Sequence, residues 1–257
     1  MTILARLRLF VVIPAVVVGV GAPVHAEQIQ TKRITITVSA AASLAKAYTE
    51  MGKQFEKANP FIRVQFNFAS TSSLVSQIQS GAPSDVIAAA DLTSFDKLMA
   101  SGNVAKSPRI FARNSMQLIV KPSNPLNISS VMDLAKASVV SLCAQTAPCG
   151  VYAATVMSRN GVMLAESKIT RGVDATATLN AVATGDADAA IVYATDAMSA
   201  RKSVLAIPIP EGKNVRASYG IAVVRGSKNS KQAEAFVQFV LSLAGRKILT
   251  SCGFLAP

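Results

Sequence analysis

Between Ile34 and Ala100 the apolar residues switch period repeatedly, and this limits the possible folds more than any other feature of the chain. Ile34-Thr35-Ile36-Thr37-Val38 alternates as a strand does. Leu44, Tyr48, Met51 and Phe55 then recur at helical spacing until Asn59-Pro60 stops them. Arg63 to Phe68 alternates again, and Leu74 and Ile78 mark a short helix ending near Gly81-Ala82-Pro83. Asp85 to Ala90 carries an apolar run suited to a buried parallel strand, and Phe95 to Ala100 is helical up to Gly102-Asn103. The order β-α-β-α-β-α predicts a three-layer α/β unit.

The theme continues downstream. Met116 to Val120, Val139 to Leu142, Ala189 to Val192, Leu205 to Ile209 and Ser218 to Val224 read as strands or extended segments. Val131 to Ala137, Val151 to Arg159, Thr176 to Thr184 and Ser230 to Leu243 read as helices. With 257 residues, half of them hydrophobic, the chain can bury a real core and suits two lobes of about 100–130 residues each. The expected path puts 27–112 and 218–257 in lobe 1 and 113–217 in lobe 2. Two crossover strands then form a hinge, with a ligand cleft between the lobes. A single doubly wound sheet is the other arrangement the periodicity permits.

The first 26 residues read as a cleavable signal peptide. Arg6 and Arg8 form a basic region, Leu9 to Val20 is apolar, and Val24-His25-Ala26 fits the small-x-small cleavage rule. The run is shorter than the ~20 residues a membrane span needs, and no Cys follows the cleavage point to carry a lipid. Export to the periplasm, or otherwise out of the cytoplasm, is the expectation. Cleavage removes His25, the one histidine, so the mature chain can build neither a Ser-His-Asp or Cys-His nucleophilic site nor a His-ligated metal site. Net charge falls from +12 by the two lost arginines to +10. The remaining basic residues are scattered without interleaved aromatics, so no nucleic-acid partner is expected. Three cysteines remain, in a compartment that favours disulfides. They allow three single bridges; the short spacing favours Cys143–Cys149, with Cys252 left free.

Four loops of small and hydroxyl residues precede helices: Ser39-Ala40-Ala41-Ala42-Ser43, Ala69-Ser70-Thr71-Ser72-Ser73, Thr146-Ala147-Pro148-Cys149-Gly150 and Val173-Asp174-Ala175-Thr176. Any one of them alone reads better as an ordinary N-cap. Together they suggest a site that holds a dianion by helix-start N–H groups and hydroxyls, since no Arg or Lys lies within them. Tyr193, at the end of an apolar strand, is either a packed ring or a further donor. Asp174 either caps its helix or accepts a proton from a protonated oxyanion. Asp85, Asp91 and Asp196 read as caps or loop anchors.

These segments carry a resemblance. Ala40-Ala41-Ala42-Ser43-Leu44, Phe68-Ala69-Ser70-Thr71-Ser72-Ser73-Leu74, Gln77-Ile78 with Gly81-Ala82-Pro83-Ser84-Asp85, Asn114-Ser115, Pro148-Cys149-Gly150-Val151-Tyr152-Ala153, Ile191-Val192-Tyr193 and Cys252-Gly253-Phe254 are similar, in order, to the periplasmic molybdate-binding proteins of ABC importers. The resemblance implies an α/β type II two-lobe periplasmic-binding-protein fold, each lobe a mixed sheet flanked by helices. It implies capture of molybdate, and of tungstate, by Ser43, Thr71, Cys149, Ala175 and Tyr193. It further implies an ABC permease at the membrane as partner, a monomer, no cofactor and no catalysis. Thr71 stands where many members have Ser, Cys149 where some have Ala, and the loop around Ala175 matches less well. Two alternatives stay open: a receptor for sulfate, phosphate or another small oxyanion, and a secreted hydrolase with Ser43 or Thr71 as nucleophile. Lys46 has the spacing to serve Ser43 as a base, but on a helix it should point outward.

Overall fold

The computed structural model describes residues 33–257; the expected signal peptide lies outside them. The chain opens with β1 (Ile34–Ala41), whose inward residues Ile36, Val38 and Ala40 are fully buried. A 3₁₀ turn (Ala42–Leu44) leads into α1 (Ala45–Ala58), which buries Ala47, Tyr48, Met51 and Phe55 on one face. Then follow β2 (Ile62–Ala69), α2 (Thr71–Gln79), β3 (Val86–Ala89) and α3 (Thr93–Ala100). β1 lies between β2 and β3, parallel to both, with Ile34 opposite Ile62 and Val38 opposite Val86. All four residues of β3 are buried, as a central parallel strand requires.

β4 (Arg109–Val120) joins the two halves of the sheet. Its first part, Arg109 to Ser115, pairs with β9 (Arg216–Val223), and its second, Met116 to Val120, with β7 (Ala189–Tyr193). Between these elements lie β5 (Val140–Cys143), α4 (Pro148–Arg159), β6 (Ile169–Gly172), α5 (Ala175–Ala183), α6 (Ala194–Ser199) and β8 (Leu205–Ile207). The chain ends in α7 (Ser230–Leu241) and α8 (Leu243–Ser251). The strand order is β2-β1-β3-β9-β4-β7-β5-β6, with β8 also on β4. β9 is antiparallel to both β3 and β4, whereas β5 is parallel to β6 and β7. Each half is therefore mixed, and β4 and β9 carry the chain between them.

Several elements differ from the sequence expectation. The segment from Val131 is a 3₁₀ helix (Val131–Lys136). The helix expected over Ser230 to Leu243 ends at Leu241, and a further helix follows it, because the Ser242 hydroxyl accepts from Gly245 N–H at 3.2 Å and starts a new one. The residue at the N-cap of α7 is Asn229, and its side chain makes no capping bond. The first half packs around aromatic rings: Tyr48 and Phe55 of α1 meet Phe236 of α7 edge-on, at centroid separations of 5.9 and 5.3 Å.

Candidate functional site

The C-terminal ends of β1, β2, β3, β5 and β7 and the adjoining stretch before α5 converge on one small cavity of about 10 Å³. The first half supplies Ala41, Ala42 and Ser43 after β1, Ala69, Ser70 and Thr71 after β2, and Ala90 after β3. The second half supplies Pro148 and Cys149 from the start of α4, Asp174 and Ala175 from the start of α5, and Tyr193 from the end of β7. All five residues expected at the site, spread over 150 positions of sequence, line this cavity. A volume so small excludes a sugar or a peptide.

Local chemistry explains each placement. Ser70 is the N-cap of α2, its hydroxyl accepting from Ser73 N–H at 3.2 Å, and Asp174 caps α5, accepting from Ala177 N–H at 2.9 Å. Thr71 and Ala175 are thus first helical residues, whose N–H groups have no acceptor within their helices. Pro148 occupies the first turn of α4, where its missing N–H costs nothing, and Cys149 follows as the next donor. A Cys143–Cys149 disulfide ties the end of β5 to this helix start. Gly150 lets the two come so close: a Cβ there would stand 2.1 Å from the Ala144 carbonyl oxygen.

The side-chain donors are held differently. Ser43 Oγ lies 2.9 Å from the Tyr219 hydroxyl, and Thr71 Oγ1 accepts from Ala90 N–H at 3.1 Å. Tyr193 is buried, its ring set edge-on to Tyr219 and Tyr152, and its hydroxyl has no hydrogen-bond partner among the described residues. Burial pushes its pKa well above the ordinary phenol value, so it stays a neutral donor. Beside it, Asp196 Oδ2 is also buried and unpartnered. Burial pushes this carboxyl up to about 7; a hydrogen bond from the Tyr193 backbone pulls it down, and the Asp174 charge adds to the rise.

No Lys or Arg lines the cavity, and Asp174 is its sole acidic lining residue. Lys46 is exposed and lies in a separate groove with Thr49 and Lys53, so it forms no pair with Ser43. A wider groove of about 930 Å³ shares Pro148 with the cavity and opens between α2 and α4. Sequence reasoning did not place Tyr219 or Ala90 at the site. Tyr219 sits in a segment read only as a strand, and Ala90 acts through its backbone, which leaves no mark on residue type.

Two mixed half-sheets joined by two shared strands, with a donor-lined cavity at the strand ends, define a binding protein of the periplasmic type. The fold matches the Azotobacter vinelandii periplasmic molybdate-binding protein at TM-score 0.78 and 18% identity, covering 86% of this chain and 99% of that one. It matches the sulfate-binding protein SubI of Mycobacterium tuberculosis equally well, at TM-score 0.78 and 17% identity over 86% of each chain. The chain belongs to the bacterial extracellular solute-binding proteins, whose family pattern matches residues 36–255. Among its relatives, the molybdate-binding protein ModA of Mycobacterium tuberculosis is 37% identical over 224 residues, 87% of this chain and 85% of the relative. The putative ABC transporter substrate-binding lipoprotein YvgL of Bacillus subtilis is 29% identical, covering 88% of each.

Proposed function

We propose that this protein is an exported receptor that captures molybdate, and with it tungstate, and delivers the oxyanion to an ABC permease in the membrane. The ligand is held by the hydroxyls of Ser43, Thr71 and Tyr193 and by backbone N–H groups at Ser43, Thr71, Cys149 and Ala175. The observation that carries this reading is the Tyr193 hydroxyl. It is a buried donor without a partner, on the wall of a cavity where helices begin. An orphaned donor of this kind costs roughly 1–3 kcal/mol, which an anionic oxygen would recover. The 37% identity to a molybdate-binding protein supports the choice of anion.

Capture needs no cofactor and no chemical step. In this reading residues 27–112 and 218–257 form one lobe and 113–217 the other, and the cleft closes over the ligand by motion at β4 and β9. Helix starts each favour an anion by about 0.3–1 kcal/mol, and hydrogen bonds to a charged group contribute about 1.5–3 kcal/mol each. A neutral, preorganised donor set therefore suffices for a dianion. The fixed donor–oxygen distances of the closed cavity favour molybdate over the smaller sulfate.

Thermal denaturation with molybdate, tungstate, sulfate and phosphate in turn tests this. Ligand at 1,000 times its Kd adds ~4 kcal/mol, a rise of about 8–16 °C for a chain of this size. A rise with molybdate and tungstate alone is the expected result. A rise with sulfate or phosphate instead would keep the clamp and replace the ligand. No rise with any of them would remove the anion clamp itself.

A further inference from the structure

We infer that Asn114 is a positioning residue that turns the Ser43 hydroxyl into a fixed hydrogen-bond donor toward the cavity. The inference rests on the anion-binding reading above and specifies how the first half of the site recognises its ligand: it reads bare, deprotonated oxygens.

Asn114 lies in β4 at the point where that strand leaves β9 for β7, and it is 1% exposed. Its Oδ1 accepts from Ser115 N–H at 2.9 Å, which fixes the orientation of the amide. Nδ2 is then a donor only, and it donates to Thr195 Oγ1 at 2.9 Å and to the Tyr219 hydroxyl at 3.3 Å. Tyr219 is fully buried and has a single proton to place. With an N–H aimed at its oxygen from Asn114, that proton goes to Ser43 Oγ, 2.9 Å away. Ser43 therefore accepts from behind, and its own proton turns to the cavity it lines. The hydroxyl chain runs Asn114 to Tyr219 to Ser43 to ligand, each bond polarising the next.

Thr71 repeats the device by a shorter route. Its Oγ1 accepts from the Ala90 backbone N–H, another group that can only donate, so its proton also faces the cavity. Neither hydroxyl has an alternative acceptor among the described residues. An O–H group on the ligand would meet a proton at both positions.

The test is a coupling cycle read by calorimetric titration of molybdate. Asn114→Leu removes the donor and lets Tyr219 and Ser43 turn either way. It should weaken binding about 3–10-fold in the wild-type background and less than about 2-fold in a Ser43→Ala background. Tyr219→Phe should behave the same, and the Asn114→Leu/Tyr219→Phe pair should bind no more weakly than the worse single variant. An equal loss with and without Ser43 would overturn the inference and make Asn114 a packing residue. Neutron diffraction on the deuterated wild-type protein without ligand decides the direction independently of any variant. A Tyr219 deuteron on the Ser43 side, with the Ser43 deuteron toward the cavity, is expected. A Tyr219 deuteron aimed at Asn114, or a Ser43 deuteron aimed at Tyr219, would overturn it. If the wild type fails to bind molybdate, the proposed ligand falls, while the deuteron directions still settle the inference.

Discussion

The two walls of the cavity are built on opposite plans. On the first, Ser43 and Thr71 are hydroxyls that each accept a hydrogen bond from a buried donor. On the second, Cys149 and Ala175 offer backbone N–H groups, while the Tyr193 hydroxyl and the neighbouring Asp196 Oδ2 are buried without partners. Each hydroxyl of the first wall has a partner behind it; the second wall and its surroundings carry buried polar atoms with none. Each such group raises the free energy of the ligand-free fold by roughly 1–3 kcal/mol. A ligand oxygen that meets Tyr193 removes part of that cost, and this differential is what a ligand needs to shift an open–closed equilibrium. Loading on the first wall followed by closure of the second is the expected order.

The largest expected effect lies behind the second wall. Asp196 has its folded pKa raised from 3.8 to about 7 by burial. Below about pH 4 the carboxyl is neutral in both states and has no effect. Between about pH 4 and 7 the folded state holds a proton that the unfolded state has lost, so stability falls as pH rises, and above about 7 the loss is complete. At about 1.4 kcal/mol per pKa unit, the full loss is on the order of 4 kcal/mol. Asp196→Asn should therefore raise the melting temperature at pH 8 and leave it nearly unchanged at pH 4. A gain that is equal at both pH values would mean that the carboxylate is not the source of the strain.

Next come two variants that should move stability in opposite directions. Tyr193→Phe removes an orphaned hydroxyl, so the ligand-free protein should become more stable by about 1 kcal/mol while oxyanion binding weakens by about 1.5–3 kcal/mol. Ser43→Ala removes a hydrogen-bonded hydroxyl and deprives the Tyr219 proton of its acceptor, so stability and binding should both fall. Melting curves without ligand and calorimetry with molybdate measure the two quantities separately. If both variants destabilise alike, the contrast between the walls is lost.

A slightly smaller effect is expected from the bridge between Cys143 and Cys149. In the chain-entropy model so short a loop contributes about 2–2.5 kcal/mol. Cys143→Ser/Cys149→Ser should lower the melting temperature by roughly 4–10 °C. It should also weaken binding, because the α4 start is no longer tied to β5. Unchanged affinity would show that the helix start keeps its position by packing alone.

The sequence made some of this legible and hid the rest for physical reasons. The alternation of Ile34 to Val38 and the helical spacing of Leu44, Tyr48, Met51 and Phe55 predicted β1 and α1, because both elements bury one face against the core. The first part of β4 was missed because Arg113-Asn114-Ser115 breaks the apolar pattern, and that polarity belongs to its crossing between the halves. β6, four residues long, and α6, six, are too short to express a period. α8 was missed because the helix expected from Ser230 was carried to Leu243, past the Ser242 hydroxyl that caps the next one. At the site, the resemblance placed five residues on one cavity wall or the other. The support behind them was not legible. Tyr219 meets Ser43 across 176 positions of sequence and Asn114 meets Tyr219 across 105, through contacts that only the paired strands create.

The smallest effect concerns the methyl group of Thr71. This residue is 2% exposed, and its hydroxyl is fixed by the Ala90 N–H. Thr71→Ser keeps that bond and the donor toward the cavity and removes only a buried methyl. Stability should fall by about 0.5–1.5 kcal/mol, and molybdate affinity should change by less than about 3-fold. Thr71→Val keeps the shape instead and removes the hydroxyl, which leaves the Ala90 N–H unpaired and should weaken binding about tenfold or more. The pair therefore separates packing from donation at one position. A serine variant that binds tenfold more weakly would mean that the first wall grips its ligand by close contact, and the difference drawn between the walls would then be one of shape and not of donors.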